Sequence, residues 1–267
     1  MNFKTLLAHA EGGVLQLTLN RPQARNAMTM AMVLELRQAL DAAEHDGQTR
    51  VVVLRGAGGH FSAGADINEM AGARMRLAAD PDAIAKVSAA FGELCVAFAN
   101  TGLAVVAVLE GTVMGGGFGL ACVADVAIAG EDAVFRLPET SLGVVPAQIG
   151  PFLVERLGYA EAKRLAVTGG RIDAREALAL RLVHEVHAAE ALDAALARVL
   201  AEILQCAPGA LAATKALISK ARLHAPASLV QHAAEVFSHA ALSAEGTEGQ
   251  TAFLQKRKAR WMPGSGS

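Results

Sequence analysis

The sequence has few of the residues that mark a nucleic-acid-binding or a secreted protein. Its 267 residues include one tyrosine, one tryptophan and three cysteines, and the formal net charge is −2. Such a chain offers no platform for stacking bases and no general attraction to a phosphate backbone. Cys95, Cys122 and Cys206 are far apart and odd in number, which is typical of small core residues in a reducing compartment. We therefore expect no nucleic-acid partner and a cytoplasmic location.

Long uninterrupted hydrophobic runs are also missing, although the composition is apolar. Hydrophobic residues make up 53% of the chain, and the mean hydropathy is +0.34. The longest charge-free stretch, residues 94–109, is interrupted by Asn100-Thr101-Gly102, whereas a spanning helix needs roughly 20 apolar residues. We therefore expect no membrane span. The apolar excess favours a protein that buries surface against copies of itself.

The motifs of common cofactor and nucleophile sites are absent from the sequence. No GxGxxG follows a strand, and no GxxxxGK[ST] occurs. His184 and His187 have no acidic or cysteine partners at metal-ligand spacing, so no metal is implied. Ser62 superficially resembles a nucleophile-elbow serine, but the first glycine is missing and the preceding strand ends well before it, at Arg55. A serine hydrolase is therefore not favoured.

The order of elements predicts an α/β fold. Apolar or β-branched runs predict strands, and glycines or helix-capping residues follow these runs. A strand followed by a glycine-rich loop and then a helix is predicted twice. The predicted elements are a strand at 14–19, a helix from Thr29, a buried strand at 51–54, a helix opened by Asp80-Pro81, a buried strand at 105–109, a helix through 118–122, a strand at 126–128, and a helix capped by Asp173 with Glu176.

Strand signals cease after about residue 188, and four Ala- and Leu-rich helical segments follow. We therefore assign residues 1–190 to a strand and helix core and 191–260 to a helical C-terminal region. Residues 261–267, which are rich in glycine and serine, are predicted to be a disordered tail.

The two glycine-rich loops, at 56–64 and 115–117, are the candidate site. Backbone N–H groups at a helix start lack partners within the helix and carry a partial positive charge. Two of them converging on one point would hold a carbonyl oxygen that becomes negative during a reaction. The alternative is a pair of tight turns without function, but the repeated context favours a site.

Several segments around these loops resemble one family. Residues 60–67 (HFSAGADI) and 111–121 (GTVMGGGFGLA) are similar to its two oxyanion signatures, and 137–143 (LPETSLG) to its segment with a catalytic glutamate. Residues 20–22 (NRP) and 252–258 (AFLQKRK) also fit. These matches are collinear and identify the chain as a member of the enoyl-CoA hydratase/isomerase (crotonase) superfamily. The resemblance implies a ββα spiral core and a C-terminal helical region that forms homotrimers, often paired into hexamers.

The resemblance also assigns roles to individual residues. It places oxyanion donors at the backbone N–H groups of Ala65 and Gly116 and the catalytic carboxylate at Glu139. Coenzyme A is expected as part of an acyl-CoA substrate, with no permanently bound cofactor. The residues implied to border it are Arg25 near the phosphates, Ala63, Asp66 and Ile67 in the first loop, and Phe253 and Lys256 at the nucleotide end.

The sequence departs from the two-glutamate hydratases at one position. Their first catalytic glutamate corresponds to Gly119, so only Glu139 remains. A lone glutamate there is also the pattern of Δ3,Δ2-enoyl-CoA isomerases. Residues 138–152, together with 115–122, resemble bacterial isohexenylglutaconyl-CoA hydratases, which are themselves similar to methylglutaconyl-CoA hydratases. This favours hydration of a branched 2-enoyl-CoA, with isomerisation second and a non-catalytic CoA-thioester-binding relative third.

A glutaconyl-type substrate carries a second carboxylate, which an arginine can bind through two hydrogen bonds. Arg136, close to Glu139 in sequence, is the candidate for this contact. The alternative for Arg136 is a solvated side chain at the end of a strand.

Overall fold

A computed structural model of the chain describes residues 3–265. The strands are β1 (Leu6–Glu11), β2 (Val14–Leu19), β3 (Val51–Gly56), β4 (Ala104–Leu109), β5 (Thr112–Met114), β6 (Val126–Gly130), β7 (Val134–Arg136), β8 (Arg171–Asp173) and β9 (Glu185–His187). The α-helices are α1 (Met30–His45), α2 (Ile67–Met75), α3 (Ala83–Asn100), α4 (Gly116–Val123), α5 (Gly150–Leu157), α6 (Tyr159–Thr168), α7 (Ala174–Ala179), α8 (Leu192–Gln205), α9 (Pro208–Ala221), α10 (Pro226–Leu242) and α11 (Ala244–Leu254).

The larger sheet has the strand order β1-β2-β3-β4-β6-β9, and every pair except β1–β2 is parallel. Parallel strands bury both faces, which explains the continuous apolar runs of β3 and β4. Alternate side chains of these strands belong to two separate clusters. Leu54 and Ala107 face the core shared with α1, α3 and α4, whereas Val53 and Val106 face α8.

The smaller sheet joins β5, β7 and β8, with β5 parallel and β8 antiparallel to the central β7. One face of it, carrying Val113, Phe135 and Ile172, is buried. The ring of Phe135 meets Phe118 of α4 edge to face, with 5.8 Å between ring centroids. This contact fixes α4, the helix that follows the second glycine loop, against the smaller sheet.

The structure confirms most of the predicted elements and adjusts several. Thr29 caps α1 by accepting a hydrogen bond from the amide of Met32, and Asp173 caps α7 through the amide of Glu176. Strand β1 was missed, although Gly12-Gly13, both with positive φ, form the turn of a hairpin. Helix α2 was also missed. The helix expected at Asp80-Pro81 begins at Ala83, after a turn in which Asp80 accepts a bond from Asp82.

Helix α3 has the length and apolar composition of a membrane-spanning helix. It packs against α1, α2 and α4, and its Leu94, Cys95 and Phe98 are buried. These contacts are typical of a core helix. The turn expected near residue 100 separates α3 from β4, so the charge-free stretch is divided between a helix and a strand.

The C-terminal helices differ in what they cover. Helix α8 packs on the larger sheet, whereas α9, α10 and α11 pack mainly on one another. Trp261 is the first residue of the predicted tail. Its indole nitrogen donates to the carbonyl of Gln205, and its backbone carbonyl accepts a bond from the guanidinium of Arg50. The tail prediction for residues 266 and 267 lies outside the described residues.

Candidate active site

The two glycine-rich loops lie side by side because a parallel bridge joins them. The amide of Ser62 donates to the carbonyl of Thr112, and the amide of Met114 donates to the carbonyl of Ser62. The first loop therefore runs alongside β5 and reaches the start of α4 together with it. Residues about 50 positions apart in sequence meet there, as the strand–loop–helix repeat predicted.

Glycines allow the loops to approach this closely. A Cβ atom on Gly117 would lie 2.8 Å from the Cβ of Ser62, which is closer than real Cβ contacts. A Cβ on Gly64, whose φ is +86°, would lie 2.9 Å from the carbonyl oxygen of Met114 and 3.4 Å from the amide nitrogen of Gly116. Backbone therefore lies directly against backbone where the loops meet.

The structure leaves the amides of Ala65 and Gly116 available at this junction. Met28 and Ala65 form a parallel bridge. The amide of Met28 donates to the carbonyl of Gly64, and the carbonyl of Met28 accepts a bond from the amide of Asp66. The N–H of Ala65, which lies between these two bonds, therefore points away from Met28. Gly116 is the first residue of α4, where an amide has no carbonyl partner within its own helix. Gly64, which precedes Ala65, lies against Gly116.

Glu139 lies at the same junction. It begins a short 3-10 turn after β7, and a Cβ on Gly115 would lie 3.0 Å from its Oε1. Its Oε2 is buried and has no hydrogen-bond partner among residues 3–265. Burial raises the pKa of this carboxyl, and the bond from its own amide offsets that only in part. A carboxyl group of raised pKa, with one buried oxygen that has no partner among residues 3–265, is suited to proton transfer.

A network that the sequence analysis missed holds the first loop in place. The guanidinium of Arg21 forms a 2.8 Å ion pair with Asp66, whose carboxylate also caps α2. Burial alone would raise the pKa of Asp66, but the bonds from Arg21 and from the amide of Asn68 outweigh it and lower that pKa. The buried Asn26 side chain donates to the carbonyls of Ala57 and His60. Arg21 and Asn26 both belong to the segment NRPQARN, residues 20–26. This segment was the part of the sequence from which the network could have been predicted.

An apolar wall covers the position of the missing glutamate. A Cβ on Gly119 would lie 2.3 Å from Cγ2 of Ile149 and 3.6 Å from the ring of Phe91. A Cβ on Gly116 would lie 2.5 Å from Cε of Met28 and 3.1 Å from the same ring. The first turn of α4 is therefore bordered by a carboxylate at Gly115 and by hydrocarbon at Gly116 and Gly119.

The remaining predicted residues fall into two groups. Arg25 lies beside the first loop, since its carbonyl accepts a bond from the amide of Ala63, and Ile67 is 75% exposed at the start of α2. Phe253, 84% exposed, and Lys256 lie at the end of α11, which packs on α9 and α10. No hydrogen bond within residues 3–265 joins these two to the glycine loops.

Arg136 ends β7, on the side of the strand opposite to Phe135, and is paired across the sheet with Arg171. Its carbonyl accepts a bond from the amide of Gly115, so its backbone borders the junction. Neither Arg136 nor Arg171 forms an ion pair within the part of the chain that the structure describes.

Comparison with known proteins agrees with this geometry. Residues 9–263 match the model of the family described as enoyl-CoA hydratase/isomerase. The chain therefore belongs to the enoyl-CoA hydratase/isomerase family. Its fold is the crotonase fold that the motifs predicted.

Three similar proteins illustrate this membership. The 2,3-dehydroadipyl-CoA hydratase of Escherichia coli is 33% identical over 254 residues, covering 94% of this chain and 96% of that protein. AtuE of Pseudomonas aeruginosa is 52% identical with a TM-score of 0.92, over 97% of this chain and 99% of that one. An enoyl-CoA hydratase/isomerase of Marinobacter aquaeolei is 48% identical with a TM-score of 0.92, over 96% and 98%.

Proposed function

We propose that the chain adds water to a branched 2-enoyl-CoA to give the 3-hydroxyacyl-CoA, with a glutaconyl-type thioester such as isohexenylglutaconyl-CoA as the first substrate class to test. The observation that carries this proposal is that Glu139 lies beside the start of α4 with its Oε2 buried and without a hydrogen-bond partner among residues 3–265. The site combines a carboxylate with the amides of Ala65 and Gly116, and these are the groups that hydration of a conjugated thioester requires.

In the proposed mechanism the thioester oxygen accepts hydrogen bonds from the amides of Ala65 and Gly116. Glu139 removes a proton from water as the water oxygen bonds to Cβ, and the electron pair of the double bond moves to form an enolate at the thioester. The amides stabilise this negative oxygen, and loss of one such donor typically costs about 10²–10³ in rate. Glu139 then returns its proton to Cα, which restores the carboxylate and completes the addition.

Two observations support a carboxylated substrate. The relative from Escherichia coli is named for 2,3-dehydroadipyl-CoA, and an adipyl thioester keeps a free carboxyl group at the end of its chain. Arg136 and Arg171 lie side by side without a carboxylate partner among residues 3–265. Arg136 would bind the second carboxylate of the substrate through its guanidinium.

Isomerisation is the second candidate, and the environment of Gly119 favours it. A Δ3,Δ2-isomerase needs one group to move a proton between two carbons and needs no bound water. Glu139 is a single carboxylate, and Ile149 and Phe91 leave hydrocarbon where a second water-binding group would lie. Isomerisation would use the same two amides to stabilise a dienolate.

Coenzyme A and neighbouring copies of the chain complete the proposal. Arg25 would lie near the CoA phosphates, and backbone at Ala63, Asp66 and Ile67 would border the adenine. Phe253 and Lys256 would contact the nucleotide end within a homotrimer or hexamer. Large apolar side chains exposed on α9, α10 and α11 and in the connection between α9 and α10 support such contacts between copies, namely Ile218, Leu223, Val230, Phe237, Leu242, Phe253 and Leu254. Sedimentation of only a 27.6 kDa species would contradict the assembly.

The test is a panel of 2-enoyl- and 3-enoyl-CoA thioesters, linear, branched and carboxylated, with products identified by mass. Glu139→Gln is expected to lower kcat by more than about 10² with the fold intact, because it removes the proton-transfer group. Glu131→Gln, an exposed glutamate outside the site, is the control. Arg136→Ala should raise KM for the carboxylated thioesters alone.

The panel also separates the alternatives. Loss of conjugation from a 2-enoyl-CoA identifies the hydratase, and conversion of a 3-enoyl-CoA into a conjugated product identifies the isomerase. If the protein binds the thioesters but turns over none of them, it is a non-catalytic binding protein and the proposal is overturned. Equal changes in KM for carboxylated and uncarboxylated thioesters would refute the role of Arg136.

A further inference from the structure

Ile149 fills the volume that a side chain at position 119 would need. Its Cγ2 lies 2.3 Å, and its Cβ 3.2 Å, from the position of a Cβ on Gly119. Even a methyl group at residue 119 would collide with Ile149, and a glutamate has four more heavy atoms in its side chain than a methyl group has. A carboxylate at position 119 and isoleucine at position 149 therefore exclude each other sterically.

The position of Ile149 is fixed from several sides. The side chain is only 3% exposed, and its carbonyl accepts a bond from the amide of Leu153 at the start of α5. The neighbouring Gln148 donates from Nε2 to Oγ of Ser88 on α3 over 3.1 Å. A Cβ on Gly92 would lie 2.1 Å from Oε1 of Gln148, so α3 has a glycine where this side chain packs.

Ile149 would lie close to the reacting part of a thioester bound at the amide of Gly116. Helix α4 meets Glu139 at Gly115 and Ile149 one turn later at Gly119. A thioester whose oxygen accepts a bond from the amide of Gly116 would have its Cα and Cβ within a few ångströms of this turn. Hydrocarbon here packs well against a carbon substituent on the substrate but offers no hydrogen bond to water.

We infer that Ile149, seated over Gly119 and beside Phe91, is a specificity-determining residue that replaces a second acid–base group with a wall for a substituent at Cβ of the enoyl thioester. The inference rests on the proposed function and deepens it. Ile149 accounts both for the lone carboxylate and for the accommodation of a branched acyl group. The wall limits the water to the side of the site where Glu139 lies.

The experiment compares kcat/KM for a linear thioester, crotonyl-CoA, and a branched one, 3-methylcrotonyl-CoA. Ile149→Ala should lower kcat/KM for the branched thioester about 10-fold or more relative to the linear one, the size of effect that small changes in an apolar pocket produce. Ile149→Val, which removes one methylene, should shift the ratio in the same direction by less. Val154→Ala is the matched control, because Val154 on α5 is 43% exposed, and it should leave the ratio unchanged.

A second arm tests the steric exclusion. Gly119→Glu alone should unfold at a lower temperature and lose activity, whereas Gly119→Glu combined with Ile149→Ala should regain stability and turn over crotonyl-CoA faster than either single variant. Circular dichroism melts accompany every assay, so an unfolded variant is recognised as such.

The outcomes separate this inference from the proposed function. If the wild-type enzyme turns over neither thioester nor any other in the panel, the proposed function fails. If it turns them over and both Ile149 variants change the two substrates equally, only the role of Ile149 is overturned. A Gly119→Glu variant as stable as the wild type would equally overturn the steric exclusion.

Discussion

Glu139 combines two properties that oppose each other in a folded protein. Its Oε2 is buried and has no hydrogen-bond partner in the described part of the chain, which costs stability whenever the carboxyl is ionised. The same burial raises its pKa and makes it a better base near neutral pH. The site therefore holds a carboxylate that the fold alone does not favour, which is typical of residues placed for chemistry rather than for stability.

This cost predicts how stability depends on pH. A raised pKa in the folded state means that Glu139 destabilises the native chain once it ionises, so wild-type stability falls as pH rises through that pKa. Glu139→Gln carries no charge at any pH. Its melting temperature should therefore exceed that of the wild type at pH 7, and the difference should shrink toward pH 4.

Thermal melts between pH 4 and pH 8 provide the measurement, with Glu131→Gln as the exposed control, which should follow the wild type. A Glu139→Gln variant that is less stable than the wild type at pH 7 would show that the carboxylate has partners in the native state. The buried environment described for Glu139 would then be incorrect.

At the scale of elements, the site depends on how closely α4 approaches the first loop. The helix starts where Gly115, Gly116 and Gly117 face Glu139, Met28 and Ser62. A Cβ on Gly116 or Gly117 would come closer to its neighbour than real Cβ atoms do, and the 3.0 Å contact at Gly115 is tighter than most. Because Ser62 belongs to the first loop, the lack of a side chain at Gly117 allows α4 to lie this close to that loop, and so brings the amides of Ala65 and Gly116 together.

Gly117→Ala tests this spacing. The new methyl group would lie 2.8 Å from Cβ of Ser62, so α4 must shift, which costs about 1–3 kcal/mol as overpacking does elsewhere. We expect lower thermal stability and a fall in kcat larger than the change in KM. Gly150→Ala is the matched control, because that helical glycine has nothing within 4 Å of a Cβ and should be neutral or stabilising. Equal behaviour of the two variants would contradict the account.

Local signals made strands β2, β3, β4 and β6, the glycine loops and the caps of α1 and α7 predictable from sequence. Continuous β-branched runs indicate buried strands, and Thr29 and Asp173 are favourable caps whatever surrounds them. The contact between Ile149 and Gly119 was not predictable, because it joins segments 30 residues apart through side-chain shape alone. The Arg21–Asp66 pair was missed for the same reason.

At the scale of the whole molecule, part of the apolar surface is buried against the larger sheet and part is exposed on the C-terminal helices. The larger sheet buries one face under α1, α3 and α4 and the other under α8. Helices α9 to α11 leave large side chains in solvent, including Phe237 and Phe253, which are 75% and 84% exposed. Composition predicted this excess, and the contacts proposed between copies of the chain would cover it.

In the proposed mechanism, the amides of Ala65 and Gly116 bind one thioester oxygen opposite the carboxyl group of Glu139. A crystal structure of Glu139→Gln with a bound 2-enoyl-CoA measures this most directly. The account predicts the thioester oxygen about 2.7–3.1 Å from both amide nitrogens, residue 139 within reach of Cα and Cβ, and Ile149 against the acyl chain. A thioester oxygen that contacts neither amide, or an acyl chain bound away from the start of α4, would contradict it.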